Sequence, residues 1–224
     1  LSKERRIFSK DNGIMIDFTF CAFDLGISTE QKSNMLKEII SCPDPFWYYD
    51  RFRGCKMLPI YNGGSLTNHT SKGNLMFTEA GLQCNTLVDV LKTKVFPFMD
   101  PVGRVTILKT DKNTALNEHI DCNEDEIGTL QHKFRIALKG QINTLYFIDK
   151  NFKKVYIPNN YDTYVLDGGH PHSLDPGPEE KITLCVGAPW KGKHNTHYKN
   201  ILDNSLHKFK VSRPDVIKEE WKNG

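Results

Sequence analysis

From Val105 onward the sequence is cut into short apolar runs by turn-forming residues, and this pattern directs the chain toward an antiparallel β architecture. The runs are Val105–Lys109, His132–Lys139, Thr144–Ile148, Lys154–Ile157, Thr163–Leu166 and Ile182–Val186, with Gly, Pro, Asn and Asp between them. Phe134, Ile136 and Leu138 recur at every second position, as in a strand with one face in a core. Several short strands at this spacing form a sandwich or a barrel.

The first hundred residues read differently. Met35, Leu36, Ile39 and Ile40 fall at helical spacing over 29–41, with Ser28 or Thr29 as the cap. Leu87, Val90, Leu91, Val95 and Phe98 fall on one face of a second helix over 82–98, ended near Pro97. Phe46-Trp47-Tyr48-Tyr49 and Gly63-Gly64 read as strand and loop. The expected fold is therefore mainly β with helices (α+β), a β-barrel packed against N-terminal helices that cover one face of its sheet. The chain reads as one domain: a helical and mixed part (1–101), a β core (102–190) and a C-terminal extension (191–224). The extension is polar, with a helix expected near Val211–Trp221 after Pro214, and reads as a solvated tail in preference to a lid or an oligomer contact.

Composition narrows the function classes. With 224 residues, 38% hydrophobic and 11% aromatic, the chain can bury a real core. A net charge of +3, without a run of Lys and Arg, gives no nucleic-acid footprint. No stretch reaches the roughly 20 apolar residues of a membrane span. Leu1-Ser2-Lys3-Glu4-Arg5-Arg6 has the charge of a signal peptide's first region without the apolar core that would follow. Cys21, Cys42, Cys55, Cys84, Cys122 and Cys185 are scattered without a CxxC pair, which points to reduced thiols and a cytoplasmic setting. Asn68-His69-Thr70 fits a glycosylation acceptor, a triplet that also arises by chance.

Two segments carry chemistry. In Glu118-His119-Ile120-Asp121, residues two apart on an extended chain point to the same side, so the His119 imidazole and the Asp121 carboxylate can reach one ion. His170-Pro171-His172 follows the strand ending Val165-Leu166-Asp167 and offers a third ligand from either histidine. Two histidines and one carboxylate are the ligand set of non-haem Fe(II) oxygenases, which leaves positions open for a cosubstrate and O2. The same donors accept Mn, Co, Ni or Zn, and an HxD triplet by itself is commonplace. Lys181-Ile182-Thr183, nine residues past His172, adds a cation and a hydroxyl on one face of a strand, able to grip one carboxylate together. Arg135 points inward in phase with Ala137, a costly placement unless an anion meets it.

The segment from Val105 to Trp190 resembles the aspartyl/asparaginyl β-hydroxylase family of 2-oxoglutarate oxygenases, including its bacterial branch acting on free proline. Ile107-Leu108-Lys109-Thr110 through Asp121 is similar to the segment bearing the first two iron ligands, with Lys112-Asn113 where the family has Pro-Gly. Leu166-Asp167-Gly168-Gly169-His170-Pro171-His172-Ser173 is similar to the segment of the distal ligand and favours His172 over His170. Lys181-Ile182-Thr183 stands where the family has Arg-x-Ser, one residue closer than usual, and Arg135 falls where it has a second basic residue.

The resemblance implies a double-stranded β-helix (jelly-roll, cupin-like) and an Fe(II)/2-oxoglutarate-dependent dioxygenase. Its metal ligands are then His119, Asp121 and His172, and its cosubstrate residues Lys181, Thr183 and Arg135. The implied reaction is hydroxylation of an unactivated C–H bond of an amino acid or peptidyl residue, consuming O2 and releasing succinate and CO2. Two other readings use the same barrel: a cupin-like metalloenzyme without 2-oxoglutarate, and a non-catalytic binding module. No membrane partner is expected, and the sequence leaves the oligomeric state open.

Overall fold

The structure is a computed structural model and describes residues 18–51, 53–63, 75–98, 102–121, 131–189, 199 and 202–222. Leu1–Arg6, the Asn68 triplet and Cys122 lie outside the described residues.

Among the described residues twelve strands run in chain order: β1 (Phe20–Phe23), β2 (Tyr48–Asp50), β3 (Cys55–Asn62), β4 (Met76–Phe77), β5 (Val105–Thr110), β6 (Gln131–Lys139), β7 (Leu145–Ile148), β8 (Lys154–Tyr156), β9 (Thr163–Asp167), β10 (His172–Leu174), β11 (Lys181–Pro189) and β12 (Ser205–Phe209). Nine form one sheet, ordered β12-β1-β9-β6-β11-β5-β3-β2 with β4 also on β3. The other three form a small sheet, β10-β7-β8. Every pairing is antiparallel. The expected antiparallel β architecture with supporting helices is present, as two sheets that strand pairing does not close into one ring.

Alternation along the central strands sorts side chains to two sides. Phe134 and Ile136 of β6, Ile107 of β5, and Ile182, Leu184 and Val186 of β11 join the main core with Met35, Ile39, Leu87 and Leu91 of the helical layer. Full burial of each such side chain is worth about 1.5–3 kcal/mol. On the opposite face Phe20, Tyr164 and Leu166 pack with Leu145 and Phe147 of the small sheet. Lys133, Arg135 and Cys185 turn to that same side, toward the cleft described below.

The first helix, α1 (Thr29–Ser41), starts with a capping box: Ser28 accepts from the Gln31 amide, and Gln31 reaches back to the Ser28 amide. The helix expected over 82–98 is present from Asn85: α3 (Asn85–Val90) continues without a gap into a π-helical turn at Leu91–Val95 and a 3-10 turn at Phe96–Phe98, and a separate short helix, α2 (Glu79–Leu82), precedes it. α2 is pressed onto β3. A Cβ on Gly81 would lie 2.3 Å from the Ile60 carbonyl oxygen. The π turn widens the helix by one residue and leaves Val90, Leu91 and Val95 all in the core.

The described part of the C-terminal extension is no solvated tail. β12 pairs with β1, and the Val211 amide donates to the Thr19 hydroxyl. Trp221 is 1% exposed and packs with Tyr146 and Ile148. The helix expected near Val211–Trp221 is replaced by irregular chain that bends at Asp215 and Val216 and a single 3-10 turn at Glu219–Trp221. Val211 and Trp221 anchor in different clusters, against β1 and against β7, which irregular chain reaches and one helical stripe does not.

Candidate metal centre

His119 lies between β5 and β6 in sequence but pairs as an isolated bridge with His172 of β10. The His119 amide donates to the His172 carbonyl at 3.1 Å, and the His172 amide returns a bond to the His119 carbonyl at 3.0 Å. Their rings thereby stand side by side, with centroids 4.6 Å apart. The Asp121 amide donates to the Gly168 carbonyl at 2.6 Å, which fixes the third member.

The His119 Nδ1–H donates to the Asn117 carbonyl at 2.7 Å, and the His172 Nδ1–H donates to the His170 carbonyl at 2.8 Å. Each neutral ring then presents a bare Nε2 lone pair. His119 Nε2 is 3.6 Å from Asp121 Oδ1, and His172 Nε2 is 3.5 Å from Asp121 Oδ2. Ligand atoms of all three residues lie within 4.8 Å of one another. Three acceptors facing one another call for a cation among them. An ion with bonds of about 2.1 Å holds neighbouring ligands about 3 Å apart, so a small inward shift completes the set. His172 Nε2 is buried and, among the described residues, the one buried side-chain N or O atom without a hydrogen-bond partner. That atom fits a metal better than any protein donor present.

Burial pushes the His119 imidazole below its ordinary value, which favours the neutral, ligating form. Burial also pushes the Asp121 carboxyl up. The Lys133 ammonium opposes this and draws the carboxyl below its usual range. His170, the other distal candidate, is turned away. Its Nε2–H donates to the Ile148 carbonyl at 2.8 Å, its ring stands edge-on to Phe147, and burial pushes it down to about 4.

Arg135 sits against the metal group, its Nη2 3.3 Å from Asp121 Oδ2. Lys181 lies further along β11, 6% exposed, with its ammonium donating to the Thr144 hydroxyl at 2.5 Å and more weakly to the Asp175 carbonyl at 3.4 Å. Burial holds it below the ordinary lysine value. Gly140, at φ +82°, and Gly177 leave the space this side chain fills: a Cβ on Gly140 would meet Lys181 Cγ at 2.9 Å, and one on Gly177 would meet Nζ at 3.1 Å. Thr183 follows at the next inward position of the strand. Arg135 is paired in register with Cys185, four residues beyond Lys181, and lines a cleft beside Asp121 whose lining includes neither Lys181 nor Thr183.

Sequence reasoning missed several neighbours. A small cleft beside Asp121 is lined by Arg53, Arg104 and Lys133 as well as Arg135. Lys133 was detectable, being in phase with Arg135 on one strand. Arg53 and Arg104 were not, because only sheet order brings them there. Behind the site, Trp221 Nε1–H donates to Glu118 Oε2 at 3.1 Å, and the Ile120 amide donates to the Trp221 carbonyl at 2.9 Å. The C-terminal residues therefore brace the segment that carries His119 and Asp121.

No family model matches the chain, and no curated protein sequence does. Solved structures do match. A Trichoplax adhaerens prolyl hydroxylase, in complex with a hypoxia inducible factor oxygen degradation domain peptide fragment, superposes with a TM-score of 0.53 at 12% identity, over 77% of this chain and 84% of that one. An oxidoreductase of the 2OG-Fe(II) oxygenase family from Burkholderia pseudomallei superposes with a TM-score of 0.52 at 10% identity, over 74% and 81%. The chain has the fold of the 2OG-Fe(II) oxygenases. No helix among the described residues is long and apolar enough to cross a membrane. Cys21, Cys42, Cys55, Cys84 and Cys185 are free thiols.

Proposed function

We propose that this chain is an Fe(II)/2-oxoglutarate-dependent dioxygenase that hydroxylates an amino acid or a peptidyl residue, with His119, Asp121 and His172 holding the iron. The observation that carries the proposal is the buried, unpartnered Nε2 of His172 facing the Asp121 carboxylate. The shared fold supports an oxygenase, and a peptide-bound prolyl hydroxylase among the matching structures supports a peptidyl substrate. The narrower kinship with aspartyl/asparaginyl β-hydroxylases, the closed double-stranded β-helix and the reading of 1–224 as one oxygenase unit belong to the same proposal.

The chemistry supplied by bound iron is insertion of one oxygen of O2 into an unactivated C–H bond, the other entering succinate as 2-oxoglutarate loses CO2. The protein's residues bind and orient. The Asn117 and His170 carbonyls hold both imidazoles in the ligating tautomer and rotation. Lys181, which bonds the Thr144 hydroxyl, would hold the distal carboxylate of 2-oxoglutarate by a charge-assisted bond, with Thr183 as second donor. Arg135 bonds Asp121 and would stand on the side of the metal group open to the keto-acid end.

The test is O2-dependent succinate formation from 2-oxoglutarate by the Fe(II)-loaded protein, with and without prolyl peptides and free amino acids. Wild type forms succinate, and Asp121→Ala does not. Stoichiometric metal without succinate under any of these conditions would instead indicate the cupin-like metalloenzyme.

A further inference from the structure

The turn between β9 and β10 carries the carbonyls that aim two of the three metal ligands, and one carboxylate sets its shape. β9 belongs to the nine-stranded sheet and β10 to the small one, so residues 168–171 link the two sheets at the site. The Gly168 carbonyl accepts the Asp121 amide at 2.6 Å, and the His170 carbonyl accepts the His172 Nδ1–H at 2.8 Å. Asp167 directs this turn with both its backbone and its side chain. Its amide donates to the Thr19 carbonyl at 2.9 Å, and its carbonyl accepts the His170 amide at 3.1 Å. Its Oδ1 accepts the Gly169 amide at 2.9 Å, and its Oδ2 accepts from Arg213 Nη2 at 3.3 Å. The Asp167 side chain is 14% exposed, and a carboxylate this enclosed needs a cation to offset its lost hydration.

Arg213 stands 46 residues further along the chain and is brought to this carboxylate through Thr19. The Thr19 hydroxyl accepts the Val211 amide at 2.9 Å, while the Thr19 carbonyl accepts the Asp167 amide. One residue thus seats the segment bearing Arg213 beside the end of β9. We infer that Arg213 is a positioning residue of the metal centre: its ion pair with Asp167 holds the turn so that the Gly168 and His170 carbonyls present Asp121 and His172 to the ion. The inference rests on the metal-centre reading above. Groups that orient ligands without touching the metal govern its affinity even where the ligands are intact.

The test is anaerobic titration of the full chain with Fe(II), and with Co(II), whose visible d–d absorption reports the geometry of its ligands, beside thermal unfolding. Arg213→Gln should weaken both ions about tenfold and alter the Co(II) spectrum at saturation, in protein that is still folded. The pair is a single hydrogen bond, so Arg213→Lys should recover most of the affinity and the wild-type spectrum. Asp167→Asn keeps an acceptor for the Gly169 amide and loses the ion pair. It should match Arg213→Gln, and the double variant should be no weaker than either, because the two residues act as one unit. Glu38→Ala removes the acceptor that joins α1 to the Thr86 and Leu87 amides, and it controls for lost stability alone. It should bind both ions as wild type does. An Arg213→Gln protein that is less stable yet keeps wild-type affinity and spectrum overturns the inference and leaves the metal centre standing. Should Arg213→Gln not fold, Asp167→Asn decides by the same two readouts. Wild type that binds neither ion removes the metal centre, the oxygenase reading and this inference together.

Discussion

Trp221 and Glu118 are hydrogen-bonded at 3.1 Å although 103 residues separate them, so the C-terminal end of the described chain buttresses the ligand segment directly. Removing the indole leaves a cavity beside Tyr146 and Ile148 and withdraws a donor from Glu118. Trp221→Ala should cost about 3–5 kcal/mol in denaturant unfolding, and Trp221→Phe about 1 kcal/mol for the lost hydrogen bond. An alanine variant as stable as wild type would show that the brace is idle.

The two distal histidines should separate cleanly. His172→Ala should abolish stoichiometric Fe(II) binding with the fold retained. His170→Ala should retain the metal and lose stability, since its ring fills space against Phe147 and bonds the Ile148 carbonyl. Metal titration beside thermal unfolding reads both. Loss of metal in the His170 variant alone would reverse the assignment.

Lys181→Ala should raise the 2-oxoglutarate requirement roughly ten- to hundredfold, as expected for loss of a charged hydrogen bond, while metal affinity stays near wild type. Lys181→Arg should rescue poorly, because Gly140 and Gly177 already abut the side chain. The KM for 2-oxoglutarate is the readout, and an unchanged KM in the alanine variant contradicts the anchor.

Helices α1 and α3 are joined by one carboxylate. Glu38 accepts from the Thr86 amide at 2.8 Å and from the Leu87 amide at 3.1 Å, capping α3 where Cys84 supplies no side-chain cap. Glu38→Ala should cost about 1–3 kcal/mol and speed exchange of those two amides. Unaltered exchange would show that the amides find other acceptors.

The sequence made legible what repeats locally. Alternation in Phe134-Arg135-Ile136 marks β6, and the Ser28 box marks α1. β1 was missed because Phe20–Phe23 is buried on both faces and shows no alternation. β10, at three residues, is too short to signal. The close approach of Gly81 to Ile60, which sets α2 against β3 ahead of the longer helix, crosses the fold, and no local pattern encodes it. At the site, His119 and Asp121 are two apart in sequence and readable as a pair, whereas His172 needed the family resemblance. Arg53 and Arg104 gather at the cleft only through the β3-β5-β11-β6 order, so their placement becomes visible only in three dimensions.

The most direct measurement of the central claim is anaerobic titration of the protein with Fe(II) and then 2-oxoglutarate, followed by visible absorption. The account predicts a weak charge-transfer band at one equivalent of each, absent from His119→Ala, Asp121→Ala and His172→Ala. Iron bound at one equivalent with no band on adding 2-oxoglutarate, or a band that persists in those variants, would contradict it.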